Sequence, residues 1–177
     1  MDGSLIMKVA IENYEMYNNG ILLCKWFDTN ESTLEDVTEW CKDVAVKSGF
    51  NGDDMELFVA DYEDDYGLYN GESLIDAYEF TEKLDGLDDD EITGIALMLS
   101  NGVVNDIDEA IEKKDEIHNT GCNDMEDIAR NYLEDTGALE SMGNLEMYFD
   151  YESFGRDMEI NGTYLEDEDG TIWEYVA

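Results

Sequence analysis

The chain has 177 residues, with 47 Asp and Glu against 9 Lys and Arg, so its net charge is −38. That balance leaves no basic patch and disfavours direct nucleic-acid binding; no apolar run is long enough to cross a membrane. Leu, Ile, Val and Phe make up 41 of the 177 residues, just above the level of roughly 20% below which a highly charged chain stays disordered, and 11 Tyr, 9 Met and 3 Trp add core material.

The first stretch reads β-β-α-β. Lys8-Val9-Ala10-Ile11 and Ile21 to Phe27 are predicted strands joined around Asn18-Asn19-Gly20. Ser32-Thr33-Leu34-Glu35 has a capping-box pattern and should start a helix, in which Leu34, Val37, Trp40, Cys41 and Val44 recur at helical spacing. Gly49 and Asn51-Gly52 end it, and Glu56 to Ala60 forms the next strand. The middle is helical. Ser73-Leu74-Ile75-Asp76 opens a helix with Ile75, Tyr78 and Leu84 facing inward. Asp88, Asp89, Asp90 and Glu91 load acid onto the first turn of another, where the helix dipole favours it; Ile92, Ile95, Ala96 and Leu99 follow, and Gly102 caps it. A short helix runs from about Asp106 to Lys114. In the last third, Asn123 should cap a helix whose stripe is Met125, Ile128, Ala129, Tyr132 and Leu133, closed by Gly137. An aromatic segment spans Leu145 to Phe154. A hairpin ends the chain, Thr163 to Leu165 and Thr171 to Tyr175 around Asp167-Glu168-Asp169-Gly170. The expected fold is α+β: an elongated row of three small domains at 1–71, 72–114 and 115–177.

Catalysis finds little support. His118 is the lone histidine and has no nucleophile motif beside it. Cys24, Cys41 and Cys122 have no metal-type spacing and read as reduced thiols of a cytosolic protein. Two segments imitate a calcium loop. Asp61 to Glu72 places its glycine at position seven instead of six, and Leu165 to Val176 has apolar residues where the terminal ligands belong. With 47 acids, a glycosidase-like carboxylate pair is trivial to find and carries no information. No cofactor and no metal is therefore expected.

The charge is spread along the chain: net −12 over 1–71, −10 over 72–114 and −16 over 115–177. Laid out at the density of duplex DNA, one charge per ~1.7 Å, 38 charges would span roughly 65 Å. A compact chain of this length is only about 40 Å across, so the charge suits an elongated molecule. Carboxylates at helical i, i+3 and i+4 positions lie about 5–6 Å apart, and Glu109, Glu112 and Glu116 are candidates for such a row. The expectation is a mimic of the phosphate backbone. Its rival is an acidic histone-like or calcium-buffering interaction protein, which calorimetric calcium titration would separate.

Asn123 to Arg130, Tyr132 to Leu139, Tyr148 to Asp157 and Asn161-Gly162-Thr163-Tyr164, with Gly20, Trp26-Phe27 and Asp61-Tyr62-Glu63 upstream, resemble the ArdA-type antirestriction proteins. The resemblance runs from about Met7 to Val176. It implies no enzymatic activity but a curved homodimer that imitates bent DNA and occupies the DNA-binding groove of type I restriction-modification enzymes, in the cytoplasm of bacteria that carry a plasmid, conjugative transposon or phage. It further implies that Leu145, Tyr148, Phe149, Asp150, Tyr151, Phe154, Gly155, Arg156 and Asp157 form the antirestriction motif near the dimer contact. The acids expected to stand for phosphates are Asp61, Glu63, Asp64, Asp65, Asp88, Asp89, Asp90, Glu109, Glu112, Glu116, Asp124, Glu126, Asp127, Glu134 and Asp135. Arg130 and Arg156, the only bases of the last third, should hold carboxylates of their own chain.

Overall fold

Strand β1 (Met7–Asn13) buries Met7, Val9, Ala10, Ile11 and Asn13 and is paired along both edges, which makes it the centre of a sheet. It pairs antiparallel with β2 (Lys25–Asp28) and β3 (Leu57–Asp64), in the order β2-β1-β3. The computed structural model describes residues 7–53, 55–69, 71 and 73–176, leaving out the side chains of 141, 142 and 145. It divides into two compact units, Met1–Asp89 and Asp90–Ala177.

In the first unit the two expected strands do pair, but the second is shorter than expected and a helix enters the connection between them. The Asn13 side chain accepts from the Met16 amide at 3.1 Å and caps a short helix, α1 (Tyr14–Asn18). Ile21 to Cys24 therefore form an exposed loop, and pairing with β1 begins only at Lys25. The capping box of α2 (Leu34–Lys47) sits one residue later than expected, with Thr33 and Asp36 exchanging bonds. Ser32 is drawn away, donating to the Asp28 carbonyl and bonding the Tyr78 hydroxyl at 2.9 Å. Val37, Cys41 and Ala45 face the sheet, while Leu34 is exposed. Helix α3 (Leu74–Leu84) buries Tyr78 and Leu84 as expected, but Ile75 is 58% exposed, because Ala77, Phe80 and Thr81 define the packed face. The buried Thr29 hydroxyl donates to the Met7 carbonyl at 2.9 Å and meets the Thr81 hydroxyl at 2.7 Å, tying α3 to β1.

The second unit contains α4 (Asp89–Ser100), α5 (Ile107–Glu112), β4 (Ile117–Cys122), α6 (Met125–Thr136), α7 (Tyr151–Asn161), β5 (Thr163–Glu166) and β6 (Ile172–Tyr175). Its sheet is antiparallel in the order β4-β6-β5, so the expected terminal hairpin gains a third strand that pattern reading did not supply. Trp173 on the central strand is buried, and its indole N–H donates to Asp167 at 2.9 Å. Gly94 lets α4 lie close on β4, since a Cβ there would come 2.7 Å from Ile117. The cap of α6 is Asp124, not Asn123; the Asn123 amide donates instead to the Gly170 carbonyl at 2.9 Å. Gly137 ends α6 with φ +63°, as expected. The fold class is thus α+β, with seven α-helices and two small antiparallel sheets among the described residues. The expected three-domain arrangement is not confirmed: α3 packs on β1 in the first unit, whereas α5 belongs to the second.

Candidate functional site

No described Asp or Glu is buried, as the cost of desolvating an unpaired carboxylate requires. The first unit holds 23 acids and 5 bases, the second 24 acids and 4 bases. Bases are largely engaged within their own unit. Lys42 meets Asp53 at 2.7 Å, Lys113 meets Glu109 at 2.9 Å, and Lys114 meets Glu91. Arg130 and Arg156 pair with Glu126 and Glu152 at 3.0 and 3.2 Å, each one helical turn away, as expected. Lys25 lies over the rings of Phe27 and Trp40. Pairing thus removes few of the exposed acids, and the excess negative charge stays at the surface.

The acids expected to stand for phosphates differ in their surroundings. Some are occupied in local structure. Asp64 accepts from the Tyr66 and Tyr69 amides at 3.0 and 2.6 Å, shaping the turn after β3. Asp61 accepts from the Tyr62 amide, and Glu63 lies 3.9 Å from Lys8. Asp89 accepts from the Tyr66 hydroxyl at 3.4 Å. Asp124 caps α6, and Glu126 holds Arg130. Glu109 is the most constrained: bonds from Lys113, the Asn105 amide N–H and the Asn105 side chain push its carboxyl down to about 2. Glu116 accepts from the Tyr175 hydroxyl at 2.8 Å and sits in a 3-10 turn, Lys114–Glu116, after α5 has ended at Glu112. The three glutamates therefore do not form one continuous helical row. Asp65, Asp88, Asp90, Glu112, Asp127, Glu134 and Asp135 are exposed.

The aromatic segment resolves into a 3-10 run, Glu140–Tyr148, kinked at Gly143, followed by α7. The Leu145 side chain lies outside the described residues. Asp150 caps α7, accepting from the Ser153 amide at 3.0 Å, and that bond holds its carboxyl below the usual range. Phe149 stacks edge-on against Tyr151 and Phe154 with ring centres 5.1 and 5.7 Å apart, and Tyr132 of α6 closes on Phe154 at 6.2 Å. Arg130 covers the Tyr151 ring at 4.1 Å. Gly155 is buried where α7 meets α6; a Cβ there would lie 2.3 Å from the Met125 carbonyl oxygen. Arg156 and Asp157 are exposed on α7. Met147 and Tyr148 project outward at 76% and 79% exposure, and Met147 lines an open hollow of about 560 Å³ with Arg130, Phe149 and Tyr151.

His118 is exposed on β4, opposite Glu174. Among the described residues no group of three or more His, Cys, Asp or Glu side chains is placed to hold a metal ion; Glu72, the last position of the first calcium-loop candidate, lies outside them. No described helix is long and apolar enough to cross a membrane. Cys24 is exposed, whereas Cys41 and Cys122 are buried; all three are free thiols. Pattern reading gave Trp40 only a core role, yet it also lines a second hollow with Lys25 and several acids. The surface thus carries an array of carboxylates and an exposed aromatic corner, an arrangement suited to binding a basic partner.

No curated protein matches the chain. A sequence model of the family described as antirestriction protein (ArdA) matches residues 9–172, spanning both units. On that match the chain belongs to the ArdA family of antirestriction proteins.

Proposed function

We propose that this protein blocks type I restriction-modification enzymes by filling their DNA-binding groove, with carboxylates in place of phosphates. Membership of the ArdA family supports an antirestriction function and a role as an inhibitor of restriction enzymes. The observation that carries the finer reading is the distribution of charge. Acids outnumber bases by 18 in one unit and by 20 in the other, and every described acid is at least partly exposed. Mimicry needs charge along the molecule; an acidic tail would concentrate it. The mechanism is exchange. Lys and Arg of the enzyme trade phosphates for Asp and Glu, and no covalent bond forms or breaks. A homodimer joined through the aromatic segment doubles the acidic surface.

The test is a cleavage assay with a type I enzyme, run with DNA competition. The expected result is loss of cleavage that excess specific DNA reverses. Because exposed ion pairs are each worth roughly 0–1 kcal/mol, single changes such as Glu134→Gln or Asp135→Asn should weaken inhibition by no more than about fivefold. Inhibition that DNA does not relieve, or that one such amide abolishes, refutes the reading.

A further inference from the structure

On the first unit, β2 and α2 frame an open hollow of about 570 Å³ whose lining includes Lys25, Phe27, Glu31, Glu39 and Trp40. Strand alternation puts Lys25 and Phe27 on one face of β2, and α2 brings Trp40 edge-on to Phe27 with ring centres 5.6 Å apart. The Lys25 ammonium lies 4.4 Å from the Phe27 ring centre and 5.6 Å from that of Trp40. The ring pair is therefore already seated against a cation of its own chain. Around it stand four acids in different situations. Asp36 is committed to the Thr33 cap and Asp43 to Lys47. Glu31 and Glu39 are exposed on the rim, in position to meet a cation arriving from solvent.

We propose that this hollow is a receptor for an arginine side chain of the protein partner: the guanidinium stacks on Trp40, pairs with Glu31 and Glu39, and displaces Lys25 toward solvent. A guanidinium suits the place better than an ammonium does. It is planar and weakly hydrated, stacks on an indole face, and offers a fork of N–H donors to carboxylates. Lys25 is the resident competitor. It is exposed at the end of a flexible stem, so it can leave without unfolding β2, and it keeps the aromatic pair covered when no partner is bound. An anchor of this kind supplies what evenly spread charge lacks, a fixed register against the partner. The inference rests on the reading of the acidic surface as a docking face for a basic protein.

The test is an NMR titration of the intact protein, following the Trp40 indole N–H at constant ionic strength. The probes are N-acetyl-arginine amide, N-acetyl-lysine amide and spermidine. The expected result is a saturable shift with the arginine probe, tighter than with the other two. Trp40→Leu and the pair Glu31→Gln with Glu39→Gln should each weaken it about two- to fivefold, whereas Lys25→Ser, which vacates the rings, should tighten it by a similar factor. The Lys25 variant leaves the buried core untouched, so it decides the matter even if the Trp40 variant folds poorly. A non-saturable shift, equal response to all three probes, or no change in Lys25→Ser overturns the proposal. In the cleavage assay the Glu31/Glu39 pair should reduce inhibition more than the pair Glu134→Gln with Asp135→Asn. Equal reduction sinks the arginine anchor and leaves phosphate mimicry standing. Saturable arginine binding by a protein that does not inhibit cleavage would sink mimicry instead.

Discussion

Gly155 and Glu109 show two ways in which a residue of the expected site is used for structure. At Gly155 the obstacle to a larger side chain is backbone, the Met125 carbonyl 2.3 Å from a built Cβ. Backbone cannot swing aside as a flexible side chain can, so Gly155→Ala must push α7 off α6. A cost of about 1–3 kcal/mol is expected, lowering the Tm by roughly 3–10 °C; an unchanged melting curve would show that the helices adjust freely. Glu109 is held by Lys113 and Asn105, and its carboxyl is pushed from an ordinary 4.5 to about 2. A carboxyl depressed by folding stabilises fully above its unfolded value and loses that contribution as the pH falls toward the folded one. Glu109→Gln should therefore melt below the parent protein at neutral pH, with the gap closing between about pH 4.5 and pH 2. Thermal unfolding of both proteins across that range checks it, and a gap that stays constant would mean that ionisation of Glu109 is not the source. In both cases the sequence offers a glycine or an acid, and only the packed neighbour reveals the role.

Among the elements, those with local signals were legible and those made by partners were not. The periodic stripes of α2, α4 and α6, the terminal hairpin and β1 follow from residues close together in the chain. Strand β4 does not: His118, Asn119, Thr120 and Gly121 have no apolar alternation, and the strand exists because β6 supplies its hydrogen bonds from fifty or more residues away. Loop Ile21 to Cys24 fails in the opposite sense. It is apolar enough to read as strand, but the Asn13 cap starts α1 and takes away the register it would need. The N-caps of α2 and α6 are off by one residue because Ser, Thr, Asn and Asp stand side by side and tertiary contacts choose among them. Helix α7 was readable in principle. Asp150 and Ser153 make a cap, and Tyr151, Phe154 and Met158 recur at helical spacing, but the density of aromatics around them masks the period. The same segment yields a prediction about assembly. Tyr148 and Met147 are exposed on the 3-10 run beside α7, and an apolar corner in so acidic a protein is a natural place for a second copy. Tyr148→Asp adds charge there without touching the Phe149–Tyr151–Phe154 cluster. Equilibrium sedimentation should show a dimer weakened at least tenfold, and an unchanged dimer would remove this corner from the interface.

At the scale of the whole molecule the charge sets stability against function. Thirty-eight net negative charges repel one another, and that repulsion destabilises the compact state. The few bases relieve it only locally, since most of them pair with acids of their own unit or, as Lys25 does, rest on aromatic rings. A soluble domain under no demand for such a surface would lose the excess acids at no cost, so the surface points to a use. Salt separates the two effects because it screens both repulsion within the protein and attraction to a basic groove. The screening length shrinks from about 10 Å at 0.1 M to 3 Å at 1 M. Raising sodium chloride across that range should therefore increase the Tm by about 3–6 °C, the equivalent of roughly 1–2 kcal/mol at this length. Over the same range it should weaken competition with DNA for the restriction enzyme, measured by displacement of a labelled duplex and corrected for the salt dependence of the duplex itself. The opposite signs are the diagnostic. Stability that falls with salt would mean that the surface charges are arranged to attract one another. Competition indifferent to salt would mean that apolar contacts, such as those available at Tyr148 or Leu22, carry the binding instead of the carboxylates.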